Sequence, residues 1–397
     1  TVFARNVLGD CMCTPALQNC EIALYDIDEK RLEDSRIILS AINKNVNEER
    51  AVIKTYLGVE NRKDALRDAT FVVNAIQVGG YEPCTVTDFE IPKKYGLQQT
   101  IADTLGIGGI MRGLRTIPVL EGFARDMEEV CPNTLFLNYS NPMAILTGYM
   151  QRYTKIKTVG LCHSVQVCSE CLLKDLGMED KLEGRTGLIA GINHMGWLLE
   201  IHDKNGEDLY PEIRRRAEEK NVSGEKHKDM VRYEYIRHLG YYCTESSEHN
   251  AEYNPWFIKS RYPEMIEEFN IPLDEYPRRC IEAVVTGQPY KIGGNVKNDG
   301  YIENLPSDAC VEVPCYIDST GVHPVKVGKL PAHLAAMNAS NIGVQLMTIE
   351  AALTKDRRKI YQAAMLDPHT AAELNIHDII QMCDELIEAH GEYMKDY

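Results

Sequence analysis

The feature that most restricts the fold is a repeated order of apolar run, polar or glycine-rich loop, and helix in the first half of the chain. Apolar runs at residues 21–28, 69–77, 134–142 and 157–161 each lead into such a loop. Runs of this length and β-branched content, bounded by Gly, Asn, Asp or Pro, are typical of buried parallel strands. The order predicts an α/β fold with a Rossmann-like, doubly wound parallel sheet, whose ligand-binding loops gather at one edge.

The strand ends offer residues suited to a dinucleotide. Asp26 and Asp28 close the first run, where dinucleotide-binding units use an acid to accept hydrogen bonds from the adenosine ribose. An acid at this place is also common as a helix cap, and that alternative stays open. Gln77 and Asn138 end later runs, and we expect both to border the cofactor. The remaining predicted cofactor contacts are the opening residues Thr1, Val2 and Phe3, which resemble the end of a glycine-rich turn whose preceding strand is absent.

A change of pattern near residue 185 indicates a second domain. An alternating strand is predicted at Ala190–His202, a charged helical stretch follows, and the last sixty residues are mostly helical. A chain of 397 residues is also long for one hydrophobic core. We predict an NAD-binding domain at residues 1–187 and an α+β domain at residues 188–397 for substrate, metal and subunit contacts. This organisation is that of lactate and malate dehydrogenases.

Composition and charge exclude several classes of function. The formal net charge of −16 argues against nucleic acid, which requires basic patches. No apolar run approaches the roughly 18 residues of a membrane span. Thirteen Cys without a repeating spacing indicate reduced thiols rather than a disulfide framework. No signal peptide is visible, although the chain opens at Thr1 without a Met and we expect its natural start to be missing. These features predict a cytoplasmic enzyme.

Cys162 and His194 are the strongest candidates for metal ligands. They lie in the segments G-L-C-H-S and G-I-N-H-M, about thirty residues apart. A thiolate and an imidazole suit a borderline divalent transition ion and leave coordination positions open for substrate oxygens. The alternative is that Cys162 is a small buried side chain and His194 a loop histidine with satisfied hydrogen bonds.

Two further segments contain groups that can transfer protons or bind hydroxyls. Residues 245–255 include three Glu, a His and a Tyr within nine positions, which is the equipment of acid–base catalysis or of a solvated loop. Residues 103–112 are predicted as a glycine-rich loop that leads into a helix at 115–127. Asn141 follows the third strand beside Asn138, where an amide can both donate to and accept from sugar hydroxyls.

These segments together resemble glycoside hydrolase family 4, the NAD- and metal-dependent glycosidases, and within it most closely the α-galactosidase branch. The matches are A-L-Y-D-I-D at 23–28, V-G-G-Y-E-P-C-T-V-T-D-F-E at 78–90, Q-T-I-A-D-T-L-G-I-G-G-I-M-R at 99–112, N-Y-S-N-P-M at 138–143, G-L-C-H-S-V-Q at 160–166, A-G-I-N-H-M at 190–195, T-E-S-S-E-H-N-A-E-Y at 244–253 and A-A-M-L-D-P-H-T-A-A at 363–372. Around Cys280 and Ile281 this sequence lacks a charged helical segment that the family carries.

The resemblance implies hydrolysis of melibiose-like α-galactosides through temporary oxidation of the sugar at carbon 3. Removal of the carbon 2 proton, loss of the aglycone, addition of water and re-reduction follow, so that NAD is recycled. It also implies Mn²⁺ on Cys162 and His194, and a homodimer or homotetramer. Family 4 is an acknowledged exception to the two-carboxylate mechanism of glycosidases.

The resemblance carries over the catalytic roles less evenly. It implies Tyr253 as the carbon 2 base, with His249 as a substrate-binding residue and alternative base. Members that act on phosphorylated sugars place an Asp directly after the ligand Cys, whereas this chain has His163 there. His163 and Asp103 are therefore both candidates for the acid, and Asn141 for substrate binding.

Other functions remain open from the sequence. Within the family these are an α-glucosidase, an α-galacturonidase or a 6-phospho-glycosidase. A 2-hydroxy acid dehydrogenase shares the domain order but requires an Arg clamp and produces net NADH. A non-catalytic dinucleotide-sensing protein would bind NAD without any need for Cys162.

Overall fold

The computed structural model of the chain describes residues 2–224, 227–260 and 277–397. The predicted cofactor contacts of Thr1 lie outside these ranges, and so does the side chain of Val2.

Strands and helices alternate through the first half of the chain. Strand β1 pairs in parallel with β2, and β3, β4 and β5 form a second parallel set in that order. Asp28 caps the helix after β1 and accepts a hydrogen bond from the Arg31 amide. The elements are α1 Val2–Cys13, β1 Glu21–Asp26, α2 Glu29–Val46, β2 Val52–Leu57, α3 Arg62–Leu66, β3 Phe71–Asn74, α4 Val86–Lys94, α5 Gly106–Val130, β4 Leu135–Asn138, α6 Met143–Tyr153, β5 Lys157–Leu161 and α7 Ser164–Asp175.

The glycine-rich segment at 103–112 differs from its prediction as a loop, because α5 already begins at Gly106. A Cβ on Gly108 would lie 2.2 Å from the carbonyl oxygen of Ala102, and one on Gly109 would lie 2.5 Å from that of Thr104. These glycines therefore let the first turn of α5 pack directly against the preceding backbone. The glycines that suggested a loop are therefore needed for close packing at the start of a helix.

The second half adds antiparallel strands to the same sheet. The predicted strand at Ala190–His202 is two strands, β6 and β7, joined by a two-residue turn. The remaining elements are β6 Thr186–Ile192, β7 Met195–His202, α8 Tyr210–Val222, α9 Met230–Leu239, β8 Tyr242–Cys243, α10 Ser247–Glu252, α11 Pro277–Thr286, β9 Tyr290–Lys297, β10 Cys310–Asp318, β11 Gly321–Pro324, α12 Ala332–Thr354, α13 Arg357–Leu366, α14 Pro368–Glu373 and α15 Ile376–His390.

The large sheet runs through both halves, in the order β3-β4-β5-β9-β10-β6-β7-β8 with β11 beside β10. One row of paired residues crosses its centre: Gly160 of β5 pairs with Asn295 of β9, Asn295 with Glu312 of β10, and Glu312 with Gly191 of β6. The domain boundary predicted at 187/188 falls inside β6 and stays a prediction.

A buried ion pair joins the C-terminal helix to the body of the protein. Asp88 of α4 accepts hydrogen bonds from Arg115 of α5 at 2.6 Å and from the His390 ring at 2.7 Å. Arg115 also donates to the carbonyl of Val78 at 3.1 Å. The three side chains are almost fully excluded from solvent, so α4, α5 and α15 are fixed to one another.

None of the helices in the described ranges has both the length and the apolar character needed to cross a lipid bilayer.

Candidate active site

The end of β5 and the turn between β6 and β7 bring Cys162 and His194 into contact. Cys162 directly follows β5, and His194 is the second residue of the two-residue turn. The Cys162 Sγ lies 3.2 Å from the His194 Nε2. The row of paired residues across β5, β9, β10 and β6 ends two positions before Cys162 and three before His194, so the sheet holds both side chains in place.

Glu245 joins this pair as a third group. Its Oε2 lies 3.4 Å from the His194 Nε2. One ligand atom from each of Cys162, His194 and Glu245 lies within 4.8 Å of the other two. Our sequence reasoning noted the acid-rich segment at 245–255 but did not single out Glu245 as a metal ligand. We call these three residues the ligand cluster.

Backbone strain supports a functional role for the ligand cluster. His194 has φ +63° and Glu245 has φ +66°, a left-handed conformation that non-glycine residues seldom adopt. Such residues persist where the surrounding structure holds them, and they concentrate at functional sites. Two of the six described non-glycine residues with positive φ thus direct their side chains to one point.

The spacing of the ligand cluster fits one shared ion. Metal–sulfur bonds of about 2.3 Å and metal–nitrogen bonds of about 2.1 Å place neighbouring ligand atoms roughly 3.1–3.6 Å apart. The observed 3.2 Å and 3.4 Å lie in this range. A thiolate, an imidazole and a carboxylate also form a mixed donor set that suits a divalent transition ion.

The charges around His194 favour a cation. Burial alone would lower the pKa of His194, but the Cys162 and Glu245 charges outweigh it and raise the pKa to about 10. Burial works against ionisation of Glu245, yet His249 and His194 hold its pKa below the ordinary value. These pKa shifts favour a positive charge on His194 between the two acidic groups, and a bound metal ion would supply that charge in place of the proton.

His249, which was predicted as a substrate-binding residue, lies against the ligand cluster. Its ring centre is 4.9 Å from that of His194 in an edge-to-face arrangement. Its Nδ1 is 3.0 Å from the Ser246 hydroxyl, and burial is the main cause that lowers its pKa to about 4. A neutral imidazole at the site can accept a hydrogen bond from a sugar hydroxyl.

Tyr253, the predicted base, is buried next to the turn that carries His194. Its hydroxyl donates to the carbonyl of Asn193 at 3.1 Å. Burial, followed by the charge of Glu245, raises the pKa of Tyr253 well above its ordinary value. Proton abstraction by Tyr253 requires the opposite change, and a divalent cation on the ligand cluster would act in that direction.

The two candidate acids occupy different surroundings. His163 is next to Cys162 at the start of α7, with its ring centre 6.2 Å from that of Tyr139. Asp103 lies before α5, its side chain about half exposed and 3.4 Å from Arg112.

The predicted cofactor residues gather at the carboxyl ends of the parallel strands, with one difference. Asp26 ends β1, and its carboxylate is 2.7 Å from Arg31. Gln77 follows β3 and donates to Thr85 at 3.1 Å. The Phe3 ring contacts the Tyr139 ring in a tilted arrangement, with ring centres 5.1 Å apart. These three positions border the edge at which a Rossmann-like sheet binds its dinucleotide.

Asn138 differs from its predicted role as a cofactor contact. It is fully buried at the end of β4, and its amide accepts from Asn74 at 2.8 Å and donates to Thr147 at 3.0 Å. It also bonds both ways with the backbone of Ser140. All its hydrogen-bonding capacity is used, so Asn138 supports the loop that presents Asn141.

Asn141 occupies the surface of that loop. Its side-chain Oδ1 accepts a hydrogen bond from the backbone amide of Met143, at the start of α6, at 3.2 Å. The peptide bond between Asn141 and Pro142 is cis. Its partial exposure leaves the amide group able to reach a ligand, as predicted.

Comparisons with known proteins fit this architecture. The sequence signature described as "Family 4 glycosyl hydrolase" matches residues 1–178, and that of its C-terminal domain matches residues 189–370. The chain belongs to glycosyl hydrolase family 4. The family resemblance seen in the sequence is thereby confirmed.

Two relatives of this family 4 protein cover it completely. An α-galactosidase of Bacillus subtilis (strain 168) is 57% identical and aligns with 100% of this chain and 97% of its own length. An α-galactosidase of Rhizobium meliloti (strain 1021) is 32% identical, over 100% of this chain and 87% of its own.

Solved structures agree in fold. A 6-phospho-α-glucosidase from gut microorganisms, in complex with NAD and glucose-6-phosphate, matches with a TM-score of 0.81 over 99% of this chain and 97% of that one, at 22% identity. Malate dehydrogenase of Plasmodium falciparum, in complex with NADH, matches with a TM-score of 0.51 over 91% and 97%, at 14% identity. The predicted fold class is confirmed.

Proposed function

We propose that this chain is an α-galactosidase that releases galactose from melibiose-like α-galactosides with NAD⁺ and Mn²⁺. The observation that carries the proposal is the 57% identity to an α-galactosidase over the whole chain. The contact between Cys162 and His194 supports the same reading, because a hydrolase of the usual two-carboxylate kind needs no thiolate at its centre.

Each residue of the site has a role in this proposal. Cys162, His194 and Glu245 would hold the metal ion, and Asp26 with the loops after β3 and β4 would hold the dinucleotide. When bound, NAD⁺ supplies a hydride acceptor for carbon 3 of the sugar and Mn²⁺ supplies a Lewis acid for its oxygens. Tyr253 takes the carbon 2 proton through its phenolic oxygen.

Proton donation to the leaving group falls to His163 or Asp103. His163 is next to a metal ligand and partly exposed, and Asp103 is about half exposed beside Arg112. Asn141 and His249 offer hydrogen bonds that orient sugar hydroxyls. Residues 188–397 would contribute His249 and the subunit interface of a homodimer or homotetramer, and residues 1–187 would hold the dinucleotide and contribute Asn141.

A cytoplasmic location belongs to the same proposal. All thirteen cysteines are free thiols, and several of them are buried. Thiolate ligation of a catalytic ion requires reducing conditions, because an oxidised Cys162 cannot bind the metal.

Hydrolysis of a galactoside deuterated at carbon 2, with and without NAD⁺ and Mn²⁺, tests the mechanism. We expect loss of the deuterium to solvent during cleavage, dependence on both additions, and no net NADH. Retention of the label, or net NADH from a 2-hydroxy acid, would contradict the proposal. If the protein cleaved only 6-phosphoglycosides, the assignment of unphosphorylated α-galactosides as its substrates would be wrong.

A further inference from the structure

A cavity lies beside the ligand cluster and shares Asn193 and Tyr253 with the active site. It lies between the amino-terminal ends of α5 and α6 and one side of α12. Glu252 and Asp367 form part of its wall. We call it the acid-lined cavity. Neither Cys162 nor His194 lines it, so it extends from Tyr253 away from the ligand cluster.

One buried polar atom of this wall has no protein partner. Glu252 is 2% exposed, and its Oε1 accepts from the Thr100 amide at 2.6 Å and from the buried Lys259, while its Oε2 has no hydrogen-bond partner. Asn193 is 3% exposed, and its side chain interacts with the buried Glu312 carboxyl. An unsatisfied atom this deep is costly unless a ligand completes it. The Glu252 Oε2 offers an acceptor to which a sugar hydroxyl can donate.

The charge of the wall is negative or neutral throughout. Lysine, arginine and histidine are absent from the cavity lining within the described ranges. Burial opposes ionisation of Glu252, but Lys259 and His369 outweigh it and hold its pKa below the ordinary value, so Glu252 is a carboxylate. Lys259 contacts the Oε1 side, away from the free Oε2.

We infer that the acid-lined cavity binds the carbon 4 and carbon 6 hydroxyls of an uncharged hexose and rejects sugars with a phosphate or carboxylate at carbon 6. The inference rests on the proposed function, whose chemistry places carbons 1 to 3 at the ligand cluster and Tyr253. The cavity that begins at Tyr253 then receives the rest of the ring. A neutral hydroxyl of the sugar donates to Glu252 Oε2.

A charged substituent at carbon 6 would be bound less favourably than a hydroxyl. A phosphate would lose its water shell against the Glu252 carboxylate and against Asp367, whose pKa is raised by burial, without gaining a cationic partner. Repulsion between like charges a few ångströms apart at the edge of a protein weakens binding by at least about tenfold. The same residues thus explain acceptance of galactose and exclusion of its 6-phosphate.

The test is calorimetric binding of galactose and of galactose 6-phosphate to the full chain loaded with NAD⁺ and Mn²⁺. Asp367→Asn removes one acid and keeps the cap that Asp367 provides to the Thr370 amide of α14. The double variant Glu252→Gln with Lys259→Met removes the other acid together with its buried partner. Glu248→Gln is the matched control, because Glu248 is a buried acid of the same helix α10 that does not line the cavity.

We expect the wild-type chain and Glu248→Gln to prefer galactose by at least about tenfold. Asp367→Asn should narrow this preference severalfold, and the double variant should also weaken galactose itself because the free Oε2 acceptor is lost. The inference would be overturned if the ratio of galactose to galactose 6-phosphate affinity were the same in the wild-type chain and all three variants. It would also be overturned if the wild-type chain bound both sugars with equal affinity. Should the double variant not fold, Asp367→Asn still decides.

Turnover separates this inference from the proposed function. Cleavage of p-nitrophenyl α-galactoside by the wild-type chain supports the proposed function whatever the binding ratio. Absence of that cleavage refutes the proposed function, and with it the inference that depends on it. Cleavage with an unchanged ratio in the variants refutes the inference alone.

Discussion

Two buried polar regions of this protein use their charges in opposite ways. Around Asp88, both carboxylate oxygens are paired, one with Arg115 and one with His390. Around the active site, Glu252 keeps one carboxylate oxygen free of protein partners. The first region fastens three helices together. The second retains hydrogen-bonding capacity that only a ligand can use.

Backbone conformation separates the same two regions. Asp88 and Arg115 lie inside the ordinary helices α4 and α5. His194 and Glu245 lie in turns with positive φ. Strained backbone thus occurs where chemistry is proposed, whereas in the structural region the Asp88 carboxylate is paired at both oxygens on helical backbone. The predictions below test this contrast.

Cys162→Ser should have the largest effect. Replacing the thiolate with a hydroxyl removes the softest donor of the ligand cluster, and we expect α-galactoside turnover to fall by about 10³-fold and Mn²⁺ affinity to fall with it. Measurement of turnover against Mn²⁺ concentration checks this. Cys171→Ser, an exposed thiol on the neighbouring helix α7, is the control and should behave as wild type. A fully active Cys162→Ser protein would show that the ligand cluster is not needed for turnover, and the contrast with the structural region around Asp88 would then fail.

Asp88→Ala should act on stability instead. It leaves the Arg115 charge buried without its partner, which costs about 3–5 kcal/mol of unfolding free energy. Denaturant unfolding measures this, and Mn²⁺ affinity of the folded protein should remain at the wild-type value. Glu33→Ala, at an exposed ion pair, should leave the unfolding midpoint unchanged. Loss of metal binding in Asp88→Ala would show that the two regions are coupled.

Glu312→Gln should change how stability depends on pH. Burial of Glu312 in the centre of the sheet raises its pKa from 4.5 to about 7, despite the nearby His194 and a 3.0 Å hydrogen bond from Asn295. Between those pH values the folded chain holds a proton that the unfolded chain releases, so wild-type stability falls as pH rises through this window.

We expect this fall to be on the order of 3 kcal/mol relative to Glu312→Gln, and to level off above about pH 7. Unfolding free energies of the two chelator-treated proteins across the window provide the comparison. A difference that does not vary with pH would mean that Glu312 is not the group responsible.

Glu245→Gln should have the smallest of these effects. It keeps the shape of the side chain but removes its charge from the ligand cluster, and we expect Mn²⁺ affinity to fall about 10- to 100-fold. Competition with a chelator measures the affinity, and Glu248→Gln serves as control. Unchanged Mn²⁺ affinity in Glu245→Gln would show that Glu245 is not a metal ligand and that only Cys162 and His194 remain as candidates.

The sequence predicted the parts of this site that depend on strand order. The parallel strands β3, β4 and β5, the position of Cys162 after β5 and its contact with a distant His194 all follow from patterns of apolar runs and from family motifs. The carboxyl ends of parallel strands meet at one edge, so residues at those ends meet as well.

The sequence did not predict features set by backbone conformation or by pairing across the fold. Glu245 lies beside His194 on a backbone with positive φ, which no composition signal reveals. Asn138 has the same residue type and a similar strand-end position as Asn141, yet its partners Asn74 and Thr147 use up its amide. The early start of α5 depends on how closely glycines approach the preceding turn.

The row of paired residues from Gly160 to Gly191 has a mechanical consequence. Because one continuous sheet connects the strands that precede Cys162 and His194, the two halves of the chain cannot swing apart as jaws to admit a sugar or a larger cation. Entry and exit would then rely on displacement of loops, and the distance between the cysteine and the histidine is set by the sheet rather than by movement of one half against the other.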